Sequence, residues 1–176
     1  MNTSQVVLKL LLDAIGQPLK LDTFDDRFMI QKKTYLTQLT GIDLAYRFGW
    51  YLRGPYSREL TRDAFRLKEQ LELGEEDYKG EQLSPAAAKR VARASQIWDK
   101  RPSGIAESDW LELLASLHYL KHIAYWPGGT PKDFDGIFKG LVDSKPRFKG
   151  RKADAQKAWD QLNRVGLVHH RVMPAA

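Results

Sequence analysis

The chain has 176 residues, of which 43% are hydrophobic and 28% charged, a composition that is typical of one globular domain and excludes a disordered chain. It contains no cysteine, which excludes a disulfide scaffold, cysteine-based zinc sites and thiol catalysis and is typical of the reducing cytoplasm. The formal net charge is +6, and residues 145–171 carry this excess while the rest of the chain is close to neutral. We therefore expect a cytoplasmic protein with a single domain over residues 1–176.

Hydrophobic periodicity and helix-boundary residues predict seven helices along the chain. Lys9 interrupts the apolar run of the first helix, so this run does not resemble a signal peptide. Ser84-Pro85 and Thr130-Pro131 are the clearest helix starts, because a capping residue followed by proline is favoured at the first helical position. The predicted helices cover approximately residues 5–15, 23–41, 57–73, 84–100, 108–126, 130–144 and 152–164.

Two short extended pieces interrupt the helical pattern. Residues 46–52 are rich in aromatic side chains and lack helical spacing, so they predict an extended segment or short strand, closed by a turn at Gly54-Pro55. Leu167-Val168 predicts a short extended tail after the last helix. The fold class that we predict is therefore mainly α, a compact bundle of about six to seven helices with one or two short strands.

The most specific motif of the sequence lies between the second and third predicted helices. It combines a Gln-Lys pair, a Tyr-Leu pair, a glycine, an aromatic stretch, and Gly-Pro-Tyr-Ser leading into a helix. Its residues are Gln31, Lys32, Tyr35, Leu36, Gln38, Gly41, Tyr46, Phe48, Trp50, Tyr51, Gly54, Pro55, Tyr56, Ser57 and Leu60. This pattern resembles the Panacea domain of SocA-like antitoxins and the YwgA-type family of uncharacterised proteins.

The resemblance implies a mostly helical domain without known catalytic chemistry. The best-described members of the family act as antitoxins, which bind and neutralise a toxin encoded next to them. Lys33, Thr34 and Thr37 are polar where members of the family commonly have apolar residues, which indicates different packing partners for that part of the helix.

The aromatic stretch is the predicted partner-binding site. Tyr46, Phe48 and Trp50 share one face of an extended backbone, because alternate residues of a strand point the same way. One interpretation is that this face packs on the second helix; the other is that it binds a partner together with Tyr51 and Tyr56. We predict a non-enzymatic, antitoxin-like regulator whose partner is a protein, such as a toxin or defence effector encoded nearby.

The alternative function is a nucleic-acid-binding subunit of a bacterial defence or regulatory system. A basic run before the last helix is suited to salt-dependent phosphate contacts, although a solvated surface explains such a run equally well. The order of helix, basic turn, helix and extended tail over residues 131–172 also resembles a winged helix. The residues of the basic run are Lys145, Arg147, Lys149, Arg151 and Lys152.

No set of residues predicts catalysis, a metal or a cofactor. His118 and His122 are one helical turn apart, but the Glu of a His-Glu-x-x-His zinc motif is absent, and a third ligand would have to come from His169, His170 or a distant carboxylate. Acidic residues near the predicted helix starts are explained by the helix dipole. No apolar stretch approaches the roughly 20 residues that span a bilayer, so we predict no membrane partner.

Overall fold

The computed structural model describes residues 1–168, which form seven α-helices and one two-stranded hairpin. The hairpin consists of β1 (Gly49–Tyr51) and β2 (Gly54–Tyr56) and lies between the second and third helices. The predicted mainly α class with short strands is confirmed. The helices are α1 (Thr3–Ala14), α2 (Phe24–Gln38), α3 (Arg58–Glu72), α4 (Pro85–Trp98), α5 (Glu107–His122), α6 (Phe134–Ser144) and α7 (Lys152–Arg164), with a 3-10 turn at Pro146–Phe148.

Helix α5 lies at the centre of the bundle. Its residues 110–120 are all buried, and it contacts α2, α4, α6, α7 and β2. Most of these residues are apolar, and each large apolar side chain that is fully buried stabilises the fold by roughly 1.5–3 kcal/mol. Three of them, Glu112, Ser116 and His118, are polar. Buried polar groups are usually hydrogen-bonded, and the partners of Glu112 and His118 come from other parts of the fold.

A second apolar cluster joins α1 to α3 and α4. Leu8, Leu11 and Leu12 on α1 are almost fully buried, as are Leu60 and Leu67 on α3. They recur at helical spacing because each helix turns one face towards the other. Among the helices of residues 1–168, none combines the length and the apolar character needed to cross a bilayer.

Capping side chains fix several helix starts where the sequence predicts them. Thr23 accepts a hydrogen bond from the Asp26 backbone N–H at 3.1 Å, and Asp26 accepts one from the Thr23 N–H at 2.9 Å. At the starts of α3 and α4, the Ser57 and Ser84 hydroxyls each accept one hydrogen bond, from the N–H groups of Leu60 and Ala87. Each such cap contributes about 1 kcal/mol, because it satisfies an N–H group that has no partner within the helix.

The predicted start of the sixth helix at Thr130-Pro131 is wrong. Helix α6 begins three residues later, because the Asp133 carboxylate accepts a hydrogen bond from the Gly136 N–H at 2.9 Å. Aspartate is a stronger capping residue than threonine, so the later cap prevails.

The predicted turn at Gly54-Pro55 is also wrong. Tyr51 pairs with Gly54 across the hairpin, so the turn is Leu52-Arg53 and the Gly-Pro pair belongs to β2. Gly54 has a φ of +84°, a conformation that favours glycine and turns the chain sharply into β2.

The predicted extended tail is wrong as far as the structure describes it. Gly166 has a φ of +78° and ends α7, and the Leu167 N–H then bonds to the Leu162 carbonyl at 2.8 Å, so the chain folds back in a turn. Leu167 and Val168 are buried. Between residues 131 and 168 there is no strand, and the remainder of the predicted winged-helix segment lies outside the described residues.

Candidate functional site

A buried ion-pair cluster lies beneath the hairpin. Glu112 on α5 is fully buried, and its Oε2 accepts hydrogen bonds from Arg53 Nε at 2.7 Å and from Arg147 Nη2. Arg53 comes from the hairpin turn and Arg147 from the 3-10 turn before α7. One carboxylate of the central helix therefore holds two separate segments in place.

A buried lysine fixes the hairpin turn from below. Lys145 donates hydrogen bonds from Nζ to the carbonyl oxygens of Tyr51 at 2.7 Å and Leu52 at 2.6 Å. Its ammonium also lies 4.5 Å from the centre of the Trp50 ring, a cation–π contact. Burial lowers the pKa of Lys145. The position of the turn is therefore set by a residue more than 90 positions along the chain.

The Gln-Lys pair of the sequence motif binds the second strand. Gln31 donates to the Ser57 carbonyl and accepts from the Ser57 N–H, both at 2.8 Å. Lys32 is almost fully buried and donates from Nζ to the Pro55 carbonyl at 2.5 Å. These contacts give the motif a physical role, because the two side chains anchor the Gly-Pro-Tyr-Ser segment to α2.

The ammonium of Lys32 is strongly desolvated. Burial lowers its pKa to about 7, the charge of Glu112 opposes this shift, and the charges of Lys145 and Arg53 add to it.

Replacing Lys32 by methionine is expected to flatten the pH dependence of stability between about pH 7 and 10. Lys32 has a pKa of about 7 when folded and titrates near 10.5 when unfolded, so unfolding takes up a proton between these values. The free energy of unfolding of the wild type should then rise with pH by up to about 1.4 kcal/mol per unit. Below this range Lys32 is charged in both the folded and the unfolded state, so the folded state bears the full cost of burying a charged ammonium.

Urea titrations at about pH 7, 8 and 9 measure this slope. Lys149→Met removes an exposed lysine and is the matched control, which should keep the wild-type slope. Equal slopes in the wild type and Lys32→Met would contradict the prediction.

An apolar groove of about 240 Å³ lies above this cluster, between α2, the hairpin and α3. Its rim consists of large apolar side chains that are exposed by about half or more: Phe24 (52%), Tyr51 (55%), Leu52 (73%) and Phe65 (47%). Only three other large apolar side chains of residues 1–168 are as exposed, and none of them lines the groove. Such clustering of exposed apolar side chains is typical of binding surfaces.

Cationic side chains complete the lining of the groove. Arg27, Lys32 and Arg53 line it, and among the described residues no Asp or Glu does. Arg53 also lies 4.2 Å from the centre of the Phe28 ring at the floor of the groove.

The predicted aromatic site divides into two parts. Tyr46 is buried and its hydroxyl bonds to Asp63 at 3.3 Å, so its ring lies within the fold and away from the groove. Phe48 packs on Tyr35 of α2 with ring centres 5.1 Å apart, and Trp50 packs on Tyr119 of α5 at 5.4 Å. The three rings therefore pack on three different helices, α3, α2 and α5, and none of them lines the groove.

The other two predicted residues line the groove. Tyr51 and Tyr56 lie on opposite strands of the hairpin with ring centres 5.3 Å apart. The Tyr56 hydroxyl accepts a hydrogen bond from Thr61 Oγ1 at 2.8 Å, which holds this ring against α3.

The predicted basic run does not form one cationic face. Lys145 is buried, Arg147 pairs with Asp109 and Glu112, and Arg151 pairs with Asp109 at 2.5 Å and Asp154 at 3.0 Å. Lys152 pairs with Asp135 at 2.8 Å.

Of the five residues of the basic run, Lys149 alone is exposed and has no ion pair with another described residue. Arg171 at the end of the basic segment lies outside the described residues. Ion pairs with Arg151 and Arg147 lower the pKa of Asp109 against the opposing effect of burial.

The two histidines of α5 are engaged with protein groups. His118 Nδ1 lies 2.8 Å from the Tyr35 hydroxyl, and burial lowers the pKa of His118 to about 3, so this ring stays neutral. His122 Nε2 lies 2.8 Å from the Leu167 carbonyl. No three His, Cys, Asp or Glu residues of the described part of the chain are placed to hold a metal. His169 and His170 lie outside that part.

Sequence reasoning attributes Glu112, together with Glu107 and Asp109, to the helix dipole, and it misses three of the rim residues of the groove. Glu112, however, lies between Leu111 and Leu113 in the stretch of α5 that is buried on all sides. A lone carboxylate in such a helix was the available signal for a buried ion pair. Phe24, Leu52 and Phe65 gave no signal, because apolar residues at helical spacing are typical of a core.

The fold and the site define a mainly helical protein that presents an aromatic, cation-lined groove on a hairpin held by buried polar contacts. Comparison of the chain with protein-family models, with curated proteins and with solved structures finds no match.

Proposed function

We propose that the chain is a non-enzymatic, antitoxin-like regulator that binds a partner protein in the groove between α2, the hairpin and α3. The observation that carries this proposal is the convergence of Phe24, Tyr51, Leu52 and Phe65 on one groove. A few residues near the centre of an interface, most often Trp, Tyr and Arg, supply most of its binding free energy, and Tyr51, Tyr56 and Arg53 line this groove. A cytoplasmic location is part of the proposal, since a chain without cysteine suits a reducing compartment.

The buried cluster supports a binding role because it holds the groove in one conformation. Lys32, Lys145 and Gln31 bind the backbone of the hairpin and of the residue that follows it, and Arg53 ties the turn to Glu112. A surface that is already ordered loses little conformational entropy when a partner binds.

The resemblance to the Panacea domain supports the same proposal. Five motif residues, Gln31, Lys32, Gly54, Pro55 and Ser57, form or anchor the second strand that borders the groove. A larger depression of about 590 Å³ between α1 and α4 is a weaker candidate, because no exposed large apolar side chain of residues 1–168 lines it. The nucleic-acid alternative has less support, because four cations of its predicted site are paired or buried.

Co-expression with the product of the adjacent gene tests the proposal. We expect the wild-type chain to co-purify with that product and to relieve its toxicity to the host. Leu52→Asp should abolish both effects, because it places a charge at the most exposed apolar position of the rim without altering the backbone carbonyl that Lys145 binds. Tyr125→Asp alters an apolar side chain that is 89% exposed and outside the groove, so it should behave as the wild type.

Two results would contradict the proposal. One is a wild-type chain that neither co-purifies with the adjacent product nor relieves its toxicity. The other is a folded Leu52→Asp variant that retains both effects.

A further inference from the structure

The charges around the groove are unbalanced. Arg27, Lys32 and Arg53 line it, and no acidic residue of the described chain does. Lys32 donates to a backbone carbonyl, and Arg27 donates to the Leu21 carbonyl at 2.6 Å, so neither has a carboxylate partner within residues 1–168. Arg27 thus forms no ion pair in the described chain, although its charge adds to the hydrogen bonds with Thr23 that lower the pKa of Asp26. Lys32, with a pKa of about 7, contributes only part of a positive charge at neutral pH.

Arg53 has only one close carboxylate partner. Its Nε binds Glu112 at 2.7 Å, whereas Nη1 lies 3.6 Å from the exposed Asp25 and Nη2 lies 3.8 Å from Asp109. Both outer contacts are longer than a normal charge-assisted hydrogen bond of about 2.7–2.9 Å. The outer edge of the guanidinium is therefore available for a shorter bond to an incoming carboxylate.

We infer that the segment that occupies the groove is an acidic peptide of a partner protein, in which at least one Asp or Glu stands beside a bulky apolar side chain. This inference rests on the proposed function and adds the chemistry of the partner. The apolar side chain packs between Phe28 and the rim residues, and the carboxylate binds Arg27 and Arg53. Complementary charge at the edge of an apolar contact gives specificity against neutral and basic segments.

A second copy of this chain is the competing occupant. Its Leu73 is exposed and stands beside Glu72 and close to Glu75, Glu76 and Asp77, so it has the same chemistry. A contact between this segment and the groove joins different surfaces of two copies, and such contacts form open chains unless they close into a ring. We therefore favour a separate partner, and the oligomeric state is part of the test.

Selection from a random dodecapeptide library displayed on phage tests the inference on the full chain. We expect the enriched peptides to combine Asp or Glu with Phe, Trp or Leu. A synthetic copy of an enriched peptide should bind Arg27→Gln roughly three- to tenfold more weakly than the wild type, as expected for a partly exposed charge pair. Arg93→Gln removes an exposed arginine of α4 outside the groove and should leave the affinity unchanged.

A second measurement does not depend on a variant. The affinity of the wild type for the acidic peptide should fall as NaCl is raised from about 0.05 to 0.5 M. A version of the peptide with Asn and Gln in place of Asp and Glu should bind more weakly at low salt, and its affinity should change little with NaCl. Enrichment of neutral or basic peptides, or an affinity that responds neither to Arg27→Gln nor to salt, would overturn the inference. Concentration-dependent self-association that Leu73→Ser abolishes would overturn it in favour of a second copy.

The two proposals fail in different ways. Neutral apolar peptides whose binding is lost in Leu52→Asp would refute the acidic partner and leave the groove as a docking site. Peptides that bind Leu52→Asp and the wild type equally would refute both.

Discussion

Replacing Glu112 by alanine is expected to lower the free energy of unfolding by about 3–5 kcal/mol. Glu112 is fully buried and is the carboxylate bound most closely by Arg53, and it also binds Arg147. Its removal leaves the largely buried guanidinium of Arg53 with acidic contacts at 3.6 Å or more, whereas the exposed Arg147 keeps Asp109 at 3.3 Å. Urea denaturation at neutral pH, analysed by linear extrapolation, measures the loss.

A surface ion pair is the control for this experiment. Lys139 and Asp143 form an exposed pair one helical turn apart on α6, at 2.8 Å. Asp143→Ala should change stability by no more than about 0.5 kcal/mol, because solvent screens an exposed pair and ordering two side chains opposes it. A loss in Glu112→Ala as small as that in Asp143→Ala would show that the buried cluster does not stabilise the fold.

The same substitution links stability to the groove. Glu112 holds the Leu52-Arg53 turn through Arg53, and Leu52 is the most exposed apolar residue of the rim. A folded Glu112→Ala chain should therefore bind a groove ligand more weakly, although residue 112 does not line the groove. The buried cluster acts by holding the binding surface in place.

Helix positions could be predicted from the sequence because their determinants are local. Thr23, Ser57 and Ser84 each bind an N–H three residues later, so a short window of sequence contains both partners. The error at Thr130 is also local, because Thr130 and Asp133 are both capping residues and the stronger of them, Asp133, begins the helix.

The candidate site could not be predicted because its contacts are not local. Lys145 binds the carbonyl of Tyr51 across 94 positions, and Arg53 binds Glu112 across 59. Lys145 belongs to the basic run, which the sequence predicts to be a surface. In the sequence the basic run stands as a stretch of positive charge that contains no Asp or Glu. In the fold its arginines pair with Asp109 and Glu112, which lie on a different helix.

Replacing Gly54 by alanine is expected to lower the free energy of unfolding by about 3 kcal/mol. Gly54 has a φ of +84°, which costs a residue with a Cβ roughly 1–2 kcal/mol. An added Cβ would also overlap Ser116 Oγ on the fully buried face of α5, and such overpacking costs typically 1–3 kcal/mol. Because β2 borders the groove, the variant should also bind a groove ligand less tightly. Urea denaturation and a peptide-binding titration measure the two effects.

Two further variants separate backbone strain from overlap. Gly74 has a φ of +80° but no atom within 4 Å of an added Cβ, so Gly74→Ala should show only the strain, about 1–2 kcal/mol. Ser116 Oγ has no hydrogen-bond partner among the described residues, so Ser116→Ala alone should cost little. In the double variant Gly54→Ala/Ser116→Ala the overlapping oxygen is absent, and the Cβ of residue 116 lies at an ordinary 3.7 Å from the added Cβ. In that background Gly54→Ala should lower the free energy of unfolding by no more than Gly74→Ala does. A Gly54→Ala loss that Ser116→Ala does not reduce would mean that the hairpin does not pack on α5 as closely as this contact requires.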